Sequence, residues 1–323
     1  MSLTEPEAVR NLNVSGLTTS SVFLTWTEPE GESSFYRVQW TDGNVTQNDT
    51  VTQTHINISN LTPGVQYEIS VTAVAGDGRT DGQSTAVSQY TKPEAVRNLN
   101  VSGLTTSSVF LTWTEPEGES SFYRVQWTDG NVTQNDTVTQ THINISNLTP
   151  GVQYEISVTA VAGDGRTDGQ STAVSQYTKP EAVRNLNVSG LTTSSVFLTW
   201  TEPEGESSFY RVQWTDGDVT QNDTVTQTHI NISNLTPGVQ YEINVTAVAG
   251  DGRTDGQSTA VSQYTSKGSN VDSSVDKVSL SSWCYSLMTE VRRGGLLTTQ
   301  IDPNKCGGST NNRKRIQQDK DAR

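Results

Sequence analysis

Three residue sets in this 323-residue chain have the types and spacing to do chemistry. The first is asparagine with serine or threonine two residues on, the acceptor pattern for an N-linked glycan. It occurs at Asn13, Asn44, Asn48, Asn57 and Asn60, then at Asn100, Asn131, Asn135, Asn144 and Asn147, and then at Asn187, Asn222, Asn231, Asn234 and Asn244. The second is Arg-Thr-Asp, with Arg79 and Asp81, Arg166 and Asp168, and Arg253 and Asp255 at its ends. A guanidinium and a carboxylate that close together offer a charged contact to a protein partner. The third is the set of metal- or nucleophile-type side chains: His55, His142, His229, Cys284 and Cys306. The histidines stand 87 residues apart, none beside a cysteine or a second histidine, and that spacing does not build a metal site.

Catalytic patterns fail in the same way. A cysteine nucleophile of the tyrosine-phosphatase type needs an arginine six residues on, but Glu290 follows Cys284 and Asn312 follows Cys306 at that distance. No Ser/His/Asp set is plausible from residues that simply recur. No Gly-rich phosphate loop opens a helix. The expectation is therefore no enzyme, no catalytic residue, no metal and no cofactor.

The recurrence itself is the main architectural signal. Residues 6–92 and 93–179 are identical. Residues 180–265 differ from them only at Asp218, where the earlier copies have Asn44 and Asn131, and at Asn244, where they have Ser70 and Ser157. A period of 87 is too long for a solenoid repeat and has the size of a small autonomous domain. The expected organisation is a leader at 1–5, modules at 6–92, 93–179 and 180–265, and a flexible tail at 266–323.

Within one copy, apolar residues alternate with polar ones. Val22, Leu24 and Trp26 share a face, as do Tyr36, Val38 and Trp40, then Ile56 and Ile58, then Tyr67, Ile69, Val71 and Ala73. Valine, isoleucine, threonine, tyrosine and tryptophan at period two predict strands. Turn residues separate the runs: Glu28-Pro29-Glu30-Gly31, Asp42-Gly43, Thr62-Pro63-Gly64 and Asp77-Gly78. Asp42-Gly43 suits a tight hairpin turn. No helical period appears. About seven short strands in under 90 residues predict an all-β, two-sheet sandwich, three times over. The repeats hold no cysteine, so they must stand on packing alone.

The run Leu61-Thr62-Pro63-Gly64-Val65-Gln66-Tyr67 resembles a tyrosine corner, in which a tyrosine hydroxyl bonds back to the turn before it. With Trp26, Tyr36 and the missing cysteines, the pattern resembles the fibronectin type III family over residues 6–265. Trp26, Trp113 and Trp200, with Tyr67, Tyr154 and Tyr241, are then the structural residues. An immunoglobulin domain would show a Cys-Trp-Cys framework in these places. The wording VRNLNVSGLTTSSVFLTW and the density of glycan acceptors are further similar to ectodomain repeats of receptor-type tyrosine phosphatases of the density-enhanced and vascular-endothelial kind. The resemblance implies an extracellular location and a protein ligand or cell-surface receptor as partner. In the cell-binding fibronectin module the loop holding Arg79–Asp81 carries Arg-Gly-Asp. Threonine in place of that glycine resists the backbone angles of the tip, so the resemblance implies a polar hairpin tip here.

Charge narrows the partners. Each of the first two copies carries 4 basic and 9 acidic residues, and the third carries 3 and 10. The net charge is −14. Such an array repels phosphate backbones, so nucleic acid is not expected. Residues 1–11 have no apolar core of a signal peptide, and no run of about 18 apolar residues predicts membrane insertion. The tail begins Ser/Gly-rich and ends basic, and its VSLSSW run places Trp283 four residues out of phase with a fourth module. A short amphipathic element around Trp283–Val291 is compatible with its pattern.

Together these features predict a non-catalytic extracellular spacer and interaction array. Eight- to ten-residue strands at about 3.3 Å per residue give modules about 30 Å long, and the join Tyr90-Thr91-Lys92-Pro93 leaves almost no linker, so a rod of about 90–100 Å is expected. Two other readings stay open. The identity of copies one and two also suits an engineered or recently duplicated scaffold with no native ligand. The phosphatase resemblance suits an ectodomain fragment whose catalytic part lies elsewhere.

Overall fold

A computed structural model of the chain describes residues 4–268 and two short strands, Val291–Arg293 and Leu296–Thr298. The first module contains β1 (Arg10–Leu17), β2 (Val22–Thr27), β3 (Phe35–Thr41), β4 (Thr46–Val51), β5 (His55–Ile58), β6 (Gln66–Val74) and β7 (Thr85–Tyr90). The second repeats the set as β8 (Arg97–Leu104), β9 (Val109–Thr114), β10 (Phe122–Thr128), β11 (Thr133–Val138), β12 (His142–Ile145), β13 (Gln153–Val161) and β14 (Thr172–Tyr177). The third repeats it as β15 (Arg184–Leu191), β16 (Val196–Thr201), β17 (Phe209–Thr215), β18 (Thr220–Val225), β19 (His229–Ile232), β20 (Gln240–Val248) and β21 (Thr259–Tyr264).

In each module the strands form two antiparallel sheets. In the first, one has three strands in the order β1-β2-β5 and the other four in the order β4-β3-β6-β7. The alternation read from sequence sets which side chains lie between them. Val22, Leu24 and Trp26 face inward from β2, Tyr36, Val38 and Trp40 from β3, and Tyr67, Ile69, Val71 and Ala73 from β6. Leu24, Val38, Ile69 and Val71 are wholly buried. The Trp26 ring meets the Tyr36 ring edge-on at 5.3 Å, a favoured aromatic geometry. Each module has its own buried cluster with these same members, so each core closes within its own module.

Two local features depart from the regular pattern. β1 pairs with β2 through two register shifts, and Asn11 sits at φ 51° beside the first of them. Asparagine tolerates this left-handed backbone, and its amide bonds the Thr27 hydroxyl at 3.2 Å. The β3–β4 connection is longer than a two-residue hairpin. Thr41 pairs with Thr46, so four residues make the turn. Gly43 supplies φ 91°, and Asp42 Oδ1 accepts the N–H groups of Asn44 and Val45 at 2.8 Å each. The side chain closes a loop that the Asp-Gly pair alone suggested would be tighter.

The C-terminal unit, residues 269–323, is described only at β22 (Val291–Arg293) and β23 (Leu296–Thr298). These pair antiparallel, Val291 with Thr298 and Arg293 with Leu296. The sequence reading had no strand there. The expected flexibility of the tail, the amphipathic element around Trp283 and both cysteines otherwise lie outside the described residues.

Because the cores are separate, damage to one should stay local. Trp26→Ala removes a side chain 6% exposed and should cost about 3–5 kcal/mol, comparable with the whole stability of a domain this size. Differential scanning calorimetry of the full chain is expected to lose about a third of its unfolding enthalpy while the remaining transition stays in place, as independent cores require. A uniform downward shift of the whole transition would contradict separate cores.

Candidate functional site

The crossing from β5 to β6 is held by hydrogen bonds from both sheets' ends. Gly64 adopts φ 74° and turns the chain. The Tyr67 hydroxyl, on the second residue of β6, accepts the Thr62 N–H at 3.0 Å. The same bond forms at Thr149–Tyr154 and at Thr236–Tyr241. A second residue completes the corner. Thr91, just past β7, is fully buried. Its hydroxyl donates to the Thr62 carbonyl at 2.7 Å and accepts the Val65 N–H at 3.1 Å, and its own N–H bonds the Val65 carbonyl. Thr178 and Thr265 repeat this clasp. Nothing in the period-two pattern marks Thr91. The available signal was its fixed place two residues before the proline that opens the next copy.

The Arg-Thr-Asp segments lie in the β6–β7 connections. Asp77 Oδ1 accepts the N–H groups of Arg79 and Thr80, and Oδ2 accepts the Thr80 hydroxyl at 2.6 Å. Those bonds, the Thr80 hydroxyl first, hold the exposed Asp77 carboxyl below its ordinary value of 3.8. Asp81 leaves the tip: it bridges Val74 through its backbone, and its carboxylate pairs with Arg37 on β3 at 2.5 Å. Asp168 and Asp255 pair likewise with Arg124 and Arg211. The carboxylate of each tripeptide is thus turned to the sheet rather than held beside its own arginine. The histidines are exposed and tilt against phenylalanines, His55 on Phe23 with ring centres 5.8 Å apart. No group of three metal-ligating side chains occurs among the described residues.

The glycan acceptors of the first module fall on the sheet margins. Asn13 lies on β1, Asn48 on β4 and Asn57 on β5, three of the four edge strands, and all three are exposed. Asn44 is exposed on the β3–β4 turn. Asn60 is exposed too, but at φ 60° within the corner, with Leu61 buried and the Thr62 N–H already given to Tyr67. The equivalents in the second and third modules are likewise exposed. Asn244 differs. It lies on β20, an interior strand, between Gln213 and Ala260, and is half-buried. Its neighbours Ile243 and Val245 are wholly buried, so Asn244 stands on the outer face of the four-stranded sheet. Asp218 sits on the β17–β18 turn of that same sheet.

Consecutive modules meet through backbone. The Pro63 carbonyl accepts the Glu119 N–H at 2.9 Å, and Pro150 does the same for Glu206. A Cβ at Gly64 would fall 1.8 Å from the Glu119 carbonyl oxygen, and one at Gly118 would fall 2.3 Å from the Pro63 oxygen. Gly163 lies under the Tyr90 hydroxyl, where a Cβ would come within 2.7 Å. The connecting residues are held as well: the Thr91 N–H goes to Val65 and the Lys92 N–H to Thr18.

Sandwiches of three and four strands, free of cysteine and fastened at a tyrosine corner, define a tandem array of immunoglobulin-like β-modules. The fibronectin type III domain profile matches residues 7–90, 94–177 and 181–264, and the chain belongs to that family. It is similar to chicken (Gallus gallus) receptor-type tyrosine-protein phosphatase eta, 35% identical over 81% of this chain and 19% of that protein. It is 37% identical to human (Homo sapiens) receptor-type tyrosine-protein phosphatase H over 74% of this chain and 22% of that protein. Chicken tenascin-R is 28% identical over 76% of this chain and 19% of that protein. The chain thus spans about a fifth of the length of these relatives. The expected likeness to receptor-type tyrosine phosphatases is present, and the matched modules carry no catalytic domain. No helix among the described residues is long and apolar enough to cross a membrane.

Two outcomes follow from the corner and the tip. Replacing Thr91, Thr178 and Thr265 together by valine keeps shape but strands a buried donor and acceptor in each module. The expected cost is about 1–3 kcal/mol per module, against about 0.5–1.5 for Tyr→Phe at 67, 154 and 241. Urea midpoints of the two triple variants should fall in that order, and the reverse order would demote the threonine clasp. A folded carboxyl held below its unfolded value stabilises above that unfolded value and loses its contribution as pH falls through the folded one. The Arg79 and Thr80 amide resonances should therefore titrate with a midpoint below 3.8. A midpoint at or above 3.8 would show the Asp77 bonds to be absent.

Proposed function

We propose that the chain is a non-catalytic extracellular array, which fixes the spacing of its modules and offers their faces and loops to a protein ligand or cell-surface receptor. The observation that supports it most is the junction. Each join is made by a backbone hydrogen bond, glycines fitted against carbonyls and a connection bonded into its own module, which suits a spacer better than a flexible tether. The domain limits follow this pattern, with modules at 6–92, 93–179 and 180–265. The Arg79–Asp81 tip serves as a structural turn, because its carboxylate is already paired with Arg37.

Glycans complete the reading. Chains attached at Asn13, Asn48 and Asn57 would cover three edge strands and block pairing with other sheets. The faces between them stay open for contact. In the third module the exchange of Asn44 for Asp218 and of Ser70 for Asn244 moves one acceptor from a turn to the middle of the same sheet's face, and so changes which part of that face a partner reaches. A second reading, a recently duplicated or engineered scaffold without a ligand, draws on the identity of copies one and two. A third, the ectodomain part of a receptor tyrosine phosphatase, draws on the relatives of which this chain spans about a fifth.

Secretion of the chain from a glycosylating cell, followed by glycopeptide mass spectrometry, tests the proposal. The expected result is occupancy at Asn13, Asn48 and Asn57 and their counterparts in all three modules, at Asn44 and Asn131, and at Asn244, with Asn60, Asn147 and Asn234 bare. Occupied Asn44 and Asn131 with a bare Asn244 would reject the moved glycan. Bare edge-strand acceptors throughout would reject the extracellular array.

A further inference from the structure

The acceptor that the third module gains differs from the one it loses in what the fold leaves open. Asn44-Val45-Thr46 and Asn131-Val132-Thr133 are exposed at all three residues, Val45 and Val132 at 56% each. They run from the β3–β4 and β10–β11 turns onto β4 and β11, edge strands that are hydrogen-bonded on one side only. A catalyst closing around such a segment meets little else of the module.

Asn244-Val245-Thr246 has the same three residue types in a different setting. It lies within β20, paired on one side with Gln213, Val212 and Arg211 of β17 and on the other with Ala260 and Thr259 of β21. Asn244 and Thr246 are half-buried and Val245 is wholly buried in the core. The Thr246 hydroxyl is already bonded to that of Ser258, at 2.6 Å. The acceptor pattern is defined by two groups, the asparagine amide and the hydroxyl two residues on, so a transferase has to reach both. Here the hydroxyl is engaged, and a neighbouring strand stands about 4.8 Å away on each side. A cleft shaped for a peptide would have to admit a four-stranded sheet.

We propose that Asn244 is an acceptor only while the third module is unfolded: the pairing of β20 closes it, whereas Asn44 and Asn131 stay open in the folded chain. In the transfer step the Asn244 Nδ2 bonds the anomeric carbon of a sugar carried on a lipid diphosphate. The bond from that carbon to the diphosphate oxygen breaks, the Nδ2 proton passes to a base of the transferase, and the lipid diphosphate leaves. The product does not obstruct folding, because position 244 faces outward between Gln213 and Ala260 and the sugar stands above the sheet. The exchange of Asn44 for Asp218 and of Ser70 for Asn244 thus changes when an acceptor is read as well as where it lies. Occupancy at Asn244 is set by a race between transfer and folding, and it records how long the third module stays unfolded. The use of this gate in a cell rests on the extracellular reading above; the closure itself is a property of the fold.

The test gives the full chain, produced without glycans and folded, to a purified oligosaccharyltransferase that reads Asn-x-Ser/Thr, together with lipid-linked oligosaccharide. Glycopeptide mass spectrometry then maps the sites. Asn44 and Asn131 should be modified, and Asn244 about a hundredfold less or lower still, since opening an interior core strand takes a large share of the global unfolding free energy. The double variant Leu198→Asp, Trp200→Ala disrupts the third core and leaves the other two, because the three cores are separate. Asn244 should then be modified as fully as Asn131. Equal modification of Asn244 and Asn131 in the folded wild-type chain would overturn the proposal. So would an Asn131 as bare as Asn244 there, since the fold would then make no distinction. An Asn244 that stays bare in the double variant would overturn it too, because something other than the fold would close the site. Purified components replace the secretory route, so bare edge-strand acceptors in cells, beside a gated Asn244 here, would reject the extracellular reading alone.

Discussion

Two sheets that share no covalent cross-link must be tied where the chain passes between them, and here the tie is the corner at Thr62–Tyr67. A strand leaving the three-stranded sheet has to surrender backbone partners before the four-stranded sheet supplies new ones. Buried groups without partners are costly, by about 1–3 kcal/mol each. The corner answers with two side chains, the Tyr67 hydroxyl for the Thr62 N–H and the Thr91 hydroxyl for both the Thr62 carbonyl and the Val65 N–H. Because Thr91 also ends the module, the same clasp that fixes the crossing fixes the exit. The position of the next module's Pro93 follows from it. Corner, exit and junction form one connected set of bonds.

Much of this was legible in the residues. Period-two alternation marked the buried faces of β2, β3, β5 and β6 correctly, because a half-buried strand repeats every two residues whatever its neighbours do. The tyrosine corner was visible because its spacing is local. What the pattern missed is non-local. Thr91 reads as one threonine among many, and only the fold brings it 29 positions back to Thr62. The pairing of Asp81 with Arg37 spans 44 positions and turns a tripeptide that reads as a display loop into part of a sheet margin. The four-residue β3–β4 turn escaped because Asp-Gly is compatible with several hairpin lengths, and the choice is made by the Asp42 carboxylate rather than by the pair itself.

The junction glycines show how a module boundary can be made by close backbone contact. Gly64 and Gly118 are placed where any side chain would strike a carbonyl, so the two backbones approach as closely as neighbouring strands do. The cost of that design is that the residues on either side of the join cannot vary independently. Identity between copies preserves the fit at both joins at once.

That identity carries a cost during folding. β3 of the first copy pairs natively with β6, Phe35 opposite Val74, a separation of 39 positions. The same seven residues match β13 of the second copy equally well, with Val161 in the place of Val74 at a separation of 126. No side chain distinguishes the two pairings. What favours the native one is the shorter loop it closes, worth about 1 kcal/mol for a threefold difference in length. A refolding chain thus discriminates self from neighbour by tether length and by the order in which strands emerge, and exchanged sandwiches are the kinetic trap such an array must avoid.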